Sequence, residues 1–221
     1  MQLPMEISQE LAEETGWHIG DGSMNFYKNR NKIKGLYQLR GHIEDDKEHY
    51  EKRIRPLFEK LFGVKLNIRE MPSTRVVGFQ LWNSDLVNFK EKIGLSLGPK
   101  HNIEIPKIFL SNTNLKKAVI RGIFDTDGGI YLEKKNKKLY PRMYITTISL
   151  KLSGQLLKLF NEMGLRATRH SQLYKSEFNR KEAYVVVIRG VEMFHKFMVD
   201  ISPKNPKHVK KYHLFLNSQN L

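Results

Sequence analysis

The chain has 221 residues, 40% of them hydrophobic, and carries 38 Lys and Arg against 23 Asp and Glu, for a formal charge of +15. That is enough apolar material for a real core and enough positive charge to expect a polyanionic partner. The absence of cysteine excludes disulfides, thiolate metal sites and cysteine nucleophiles, and no apolar run approaches a membrane span or a signal peptide, so a cytoplasmic protein is expected.

In chain order, the patterning predicts a helix over residues 8–20, strands over 25–30 and 36–43, a helix over 46–62, strands over 65–70 and 75–82, and a helix over 84–93. Residues 97–112, with Pro99 and Pro106, read as a linker running over the surface. The same order then returns: a helix over 114–126, strands over 130–135 and 142–147, a helix over 152–163, strands over 166–174 and 183–189, and a helix over 191–199. A terminal helix is expected over 208–217. The chain therefore divides into a first repeat (1–96), a linker (97–112), a second repeat (113–203) and a basic C-terminal helix or tail (204–221).

Two segments carry one device. Gly16-Trp17-His18-Ile19-Gly20-Asp21-Gly22 and Gly122-Ile123-Phe124-Asp125-Thr126-Asp127-Gly128 each end a predicted helix on Asp-Gly. The carbonyl end of a helix carries roughly half a negative charge, so a carboxylate there is disfavoured unless a cation or a donor neutralises it. Gly16 and Gly20, like Gly122 and Thr126, are four residues apart on one helix face, where a second backbone can approach closely. Two such helices crossing would set Asp21 beside Asp127, an arrangement that asks for a metal. The register persists beyond the motifs, because Gly98-Pro99-Lys100-His101 is echoed by Asn205-Pro206-Lys207-His208, 107 residues later. A period of this length reads as duplication of a small domain.

The strands alternate so that polar side chains share a face: Gln38, Arg40 and His42; Lys65, Asn67 and Arg69; Arg142 and Tyr144; Arg166, Thr168, His170 and Gln172. Lys28, Arg30, Arg75 and Lys135 extend this set. Such side chains suit base edges and phosphates in a duplex groove. Charge is uneven, with 17 basic and 15 acidic residues over 1–110 and 21 and 8 over 111–221, so the second half, +13 against +2, is expected to grip a polyanion harder. Trp17 and Trp82 are expected in the core, and His18 is expected to pack at the helix interface. The eight histidines show no metal-binding spacing, and no glycine loop cradles a phosphate, so no small-molecule cofactor is expected.

These residues carry a resemblance to the LAGLIDADG homing endonucleases in their single-chain, two-repeat form. It implies an α+β fold of two pseudo-symmetric αββαββα repeats, with paired motif helices at the lobe interface and a saddle of antiparallel sheets over double-stranded DNA, on a long pseudo-palindromic or asymmetric target. It also implies a monomer. By the same resemblance Asp21 and Asp127 bind divalent metal, Mg²⁺ or another such as Mn²⁺, over the scissile phosphates, with the carbonyls of Gly20 and Thr126 assisting. Asp125, which the first repeat replaces with Ile19, is read as capping or structural. Such enzymes place a basic residue near the end of the second strand of each lobe. Lys151 fills that role in the second lobe, whereas the first offers acidic residues around Asp45, so uneven cleavage of the two strands is expected. The chain lacks an N-terminal Cys or Ser and a C-terminal His-Asn pair, and is expected to be freestanding or intron-encoded rather than an intein. A DNA-binding regulator and an intron RNA maturase are the alternatives, and two retained motif acids favour the site-specific endonuclease.

Overall fold

The computed structural model describes residues 1–29, 32–136, 138–175 and 180–219. In the first lobe α1 (Gln9–Asp21) runs directly into β1 (Gly22–Asn29), which pairs with β2 (Lys32–His42). Next come α2 (Ile43–His49), a π-helical turn (Tyr50–Ile54) and α3 (Arg55–Phe62), then β3 (Arg69–Met71), β4 (Val76–Trp82) and α4 (Ser84–Lys92). The second lobe repeats this plan with α5 (Thr113–Asp127), β5 (Gly128–Lys135), β6 (Lys138–Thr147), α6 (Leu150–Glu162), β7 (Thr168–Lys175), β8 (Arg180–Arg189) and α7 (Val191–Asp200). The sheets are antiparallel and ordered β1-β2-β4-β3 and β5-β6-β8-β7, and α8 (Pro206–Gln219) ends the described chain. Among the described residues no helix is long and apolar enough to cross a membrane.

The local reasons are readable. Ser8, Asn83, Asn112 and Ser149 each accept a hydrogen bond from the backbone N–H three residues on, starting α1, α4, α5 and α6. Gly63, at φ 60°, takes the left-handed conformation that ends α3. Along β2, Tyr37 and Leu39 point inward onto Phe58 and Phe79, while Gln38 and Arg40 point out.

The two lobes meet along α1 and α5. A Cβ on Gly16 would lie 2.8 Å from the Gly122 Cα, and one on Gly122 would lie 2.8 Å from the Gly16 Cα, so only glycine lets these backbones approach.

Three expectations change. The strand expected over 65–70 shrinks to Arg69–Met71, because only those residues find partners on β4, which leaves Lys65 and Asn67 in irregular chain. The linker is not a surface crossing: Ile103, Ile105 and Phe109 are buried, and Gln155 bonds both the N–H and the carbonyl of Ile105. The expected terminal helix forms as α8, which buries His208 and Phe215 and donates from Lys211 to the Ile130 carbonyl. Trp17 is buried, but Trp82 is 55% exposed and meets Tyr27 edge-on on the outer face of the first sheet.

Candidate active site

The motif helices end side by side. A Cβ on Gly20 would overlap the Thr126 side chain and sit 3.3 Å from the Asp127 carboxyl carbon, which fixes how near the two helix ends lie. Thr126 donates its hydroxyl to the carbonyls of Gly122 and Ile123, both at 3.0 Å, so the oxygen that packs against Gly20 of the crossing helix is already satisfied within α5. Asp21 and Asp127 are each partly exposed at the seam, just where α1 and α5 give way to β1 and β5.

Burial, then the Asp127 and Asp46 charges, push the Asp21 carboxyl up to about 8, against a hydrogen bond from the Tyr50 hydroxyl at 2.9 Å and the Lys100 charge. Burial pushes Asp127 up to about 6, with Lys100 and Lys207 acting against it and Asp46 with it. Two helix-end carboxylates thus share one desolvated place and are under-compensated there. Asp46 is the third carboxylate nearby. A Cβ on Gly41 would lie 2.9 Å from one Asp21 oxygen and 3.0 Å from one Asp46 oxygen, so a hydrogen at this position of β2 leaves the floor of the site open.

Lysines complete the site, and they come from the echoed Pro-Lys-His segments. Lys100 Nζ donates to the Gly20 carbonyl; Lys207 Nζ donates to Asp46 at 2.8 Å and to the Thr126 carbonyl at 3.4 Å. Each lobe therefore supplies one ammonium to the end of its own motif helix. Burial holds the Lys100 ammonium below its ordinary range, against the pull of Asp127 and Asp21. Lys151, by contrast, is exposed in the first turn of α6, and the lysine charges that act on Asp21 and Asp127 are those of Lys100 and Lys207. In the first lobe the lysine that reaches the end of the motif helix is Lys100, 79 residues beyond Asp21, and not a residue at the end of β2. The signal that could have found both was the Pro-Lys-His repeat, whose offset of 107 residues nearly equals the 106 between the motif acids.

Asp125 is buried and accepts the N–H groups of Lys204 and Asn205 at 2.9–3.0 Å, which pins the segment entering α8. Burial pushes it up to about 7, against those two bonds. His18 is buried and stacks on Tyr37 with centroids 5.0 Å apart.

The outer sheet faces hold most of the expected polar residues. Cross-strand register sets Gln38 beside Ser23 and Gln80, and Arg40 and Arg69 both flank Gly78 on that face. In the second lobe Arg142, Tyr144, Thr146, His170 and Gln172 line an open groove of about 390 Å³ together with Tyr131, Val185, Val187 and Arg189. Thr168 lies opposite Val187 and receives a bond from Arg189, and Lys135 shares the strand parity of Tyr131. Lys28 does not belong to this set, since it alternates with Met24 and Phe26 on the covered side of β1. Arg166 sits before β7 with φ 43° and pairs with Glu192, Arg75 pairs with Glu44, and His42 lies 3.4 Å from Asp45. Arg30 falls outside the described residues. Tyr131 and Arg189 had no sequence signal, because only the register of the sheet brings them to the groove.

Residues 114–201 match the family model described as a LAGLIDADG-like domain. Over 215 residues, 97% of the chain, the sequence is 26% identical to part of the replication factor C small subunit of Methanocaldococcus jannaschii, and over 90% of the chain it is 24% identical to part of the glutamine–fructose-6-phosphate aminotransferase of the same organism. The chain spans only 10% and 17% of those proteins. Among solved structures, mesophilic variants of the homing endonuclease I-DmoI superpose with a TM-score of 0.66 at 19% identity, covering 91% of this chain and 97% of that one. I-DmoI in complex with DNA and Ca gives 0.64 at 19% identity over 93% and 97%, and the LAGLIDADG meganuclease I-AabMI bound to uncleaved DNA gives 0.59 at 12% identity over 97% and 91%. The second lobe therefore carries a LAGLIDADG-like domain, and the chain as a whole has the fold of the LAGLIDADG homing endonucleases.

Proposed function

We propose that this protein is a site-specific double-strand DNA endonuclease that uses a divalent cation. The observation that carries the reading is the pair of desolvated, under-compensated carboxylates, Asp21 and Asp127, at the seam between two sheets with polar outer faces. Relatives of the same fold are recorded with DNA and Ca, with DNA and Mn, and with target DNA and Mg.

The residues fit a hard cation. Two carboxylates and the nearby carbonyls of Gly20 and Thr126 form an all-oxygen donor set, which suits Mg²⁺ or Mn²⁺, and a cation would offset the burial and the repulsion that raise Asp21. When bound there it would supply Lewis-acid polarisation of a scissile phosphate. The chain's own groups do the remainder. Tyr50 orients Asp21, Asn205 and Asp125 hold the segment that carries Lys207, and Lys100 and Lys207 place ammonium charges where a phosphodiester gains negative charge in its transition state. The role expected of Lys151 passes to these two lysines. The outer faces, through Gln38, Arg40, Arg69, Arg142, Tyr144, His170 and Gln172, hold a single monomer on its duplex.

Selection of cut sequences from a randomised duplex library with Mg²⁺ tests the reading. One recurrent target, cut by the wild-type chain and left intact by Asp21→Asn and by Asp127→Asn, is expected; specific binding with no cutting would give the place to the DNA-binding regulator.

A further inference from the structure

The duplication is not symmetric at the site, and one asymmetry places a carboxylate in a single corner. Gly22 pairs with Leu39, and Gly128 pairs with Ile145 in the second lobe. Counting on from those pairs, Gly41 corresponds to Thr147, Asp46 to Leu152 and Tyr50 to Leu156. Leu152 and Leu156 are buried, so the second lobe has an apolar corner where the first has a carboxylate and a phenol.

Asp46 is nearly inaccessible, with 4% exposure, yet it takes donors from both lobes. Its Oδ2 accepts the N–H of His42 at 2.9 Å. Its Oδ1 accepts Asn205 Nδ2 at 2.8 Å and Lys207 Nζ at 2.8 Å, residues 159 and 161 positions away. Asn205 is itself fixed, because its amide also donates to the Asp125 carbonyl at 2.8 Å and its N–H to the Asp125 carboxylate at 3.0 Å. The carboxylate is thus held from three sides, and of its partners the lysine alone brings a charge, its side chain 21% exposed. Lys207 reaches the Thr126 carbonyl from this clasp, whereas Lys100 reaches the Gly20 carbonyl with no counterpart of Asp46 in the second lobe.

We propose that Asp46 is a positioning residue: the carboxylate of the first lobe holds the lysine of the second lobe at the end of α5, so that cutting of one DNA strand depends on Asp46 while cutting of the other does not. This rests on the endonuclease reading. A carboxylate serving only to join the lobes would need the Asn205 amide and not the ammonium. A salt bridge to a flexible four-carbon side chain removes rotameric freedom that the second ammonium, Lys100, retains on that account.

The test uses Asp46→Asn, which keeps the shape and the acceptor but not the charge. In the metal-free, DNA-free protein, brief acylation with N-hydroxysuccinimidyl acetate followed by peptide mass spectrometry reads the freedom of each lysine. Acylation of Lys207 is expected to rise several-fold, with that of Lys100 unchanged. On an end-labelled duplex under single-turnover conditions, the strand whose cutting is most sensitive to Lys207→Met should slow by about tenfold, with the other strand close to wild type. The double variant Asp46→Asn/Lys207→Met should cut no more slowly than Lys207→Met alone. Unchanged acylation of Lys207, equal slowing of both strands, or additive losses would each overturn the proposal. If the wild-type protein cuts no DNA, the endonuclease reading fails, and the acylation result still decides whether Asp46 places Lys207. Should Asp46→Asn lose its cooperative melting transition, Asn205→Ser keeps both charges and loosens Asp46. The same two assays then apply, with smaller changes in the same direction expected and no change overturning the proposal.

Discussion

Replacing Asp21 by Asn should make the metal-free protein more stable, and by an amount that grows with pH. The folded carboxyl is pushed up to about 8 from an ordinary value of 3.8, so the fold favours the protonated form. Its contribution to stability is therefore fully present below about pH 4 and is lost as pH rises toward 8, because the native state binds the proton more tightly than the unfolded chain. Each pKa unit corresponds to about 1.4 kcal/mol, which sets an upper bound near 6 kcal/mol. Because Asp21 keeps some contact with water and shares its repulsion with Asp127, a loss of about 2–3 kcal/mol is expected between pH 5 and 8.5. Asparagine cannot ionise and still accepts from Tyr50, so the variant should lose much less over that range. For a chain of this size that difference is about 5–10 °C in melting temperature. The assay is thermal denaturation of both proteins in EDTA and in Mg²⁺ at the two pH values. Mg²⁺ should restore the wild type at pH 8.5 and leave the variant nearly unmoved. Parallel pH profiles for the two proteins in EDTA would refute the reasoning, since they would mean that Asp21 ionises in the fold as freely as in water.

Further outcomes follow from other parts of the structure. Gly16→Leu should destabilise the protein by about 1–3 kcal/mol or more in urea denaturation, because even a Cβ there would press on Gly122 across the lobe interface. Glu14→Gln should cost about 3–5 kcal/mol by the same assay: Lys90 and Glu14 are both fully buried and paired, with Tyr37 donating to Glu14 at 2.6 Å, and the change leaves the ammonium without its counter-charge. Lys100→Met should slow strand cutting by about a hundredfold with duplex affinity little changed in a gel-shift titration, since Lys100 serves the site and not the sheet faces. Arg40→Ala and Arg69→Ala should each reduce the slope of log affinity against log salt concentration by about one, measured by fluorescence anisotropy.

What the sequence determined by itself is whatever depends on neighbours a few residues apart. Helix periodicity, the strand alternation of Gln38, Arg40, Arg142 and Tyr144, and the Asp-Gly ends of the motif helices are all local, and the glycine spacing told which helix faces meet. Duplication added a long-range constraint without needing coordinates, because two copies of one plan must pair like with like. Tertiary structure decided everything that rests on sequence-distant contact. Lys100 and Lys207 enter the site from segments about 80 residues beyond the helix ends they serve, so a search for a basic residue near the second strand found Lys151 instead. β3 pairs only with Val76–Gly78 and leaves residues 65–68 off the remainder of β4, which no residue preference in 65–70 reveals. The linker became part of the core because Ile103, Ile105 and Phe109 find apolar surface to cover, and a proline count reports chain stiffness rather than burial. Asp46 read as one more acid at the start of a helix, and only the folded chain brings it against Asn205 and Lys207, where a charge without partners could not be buried.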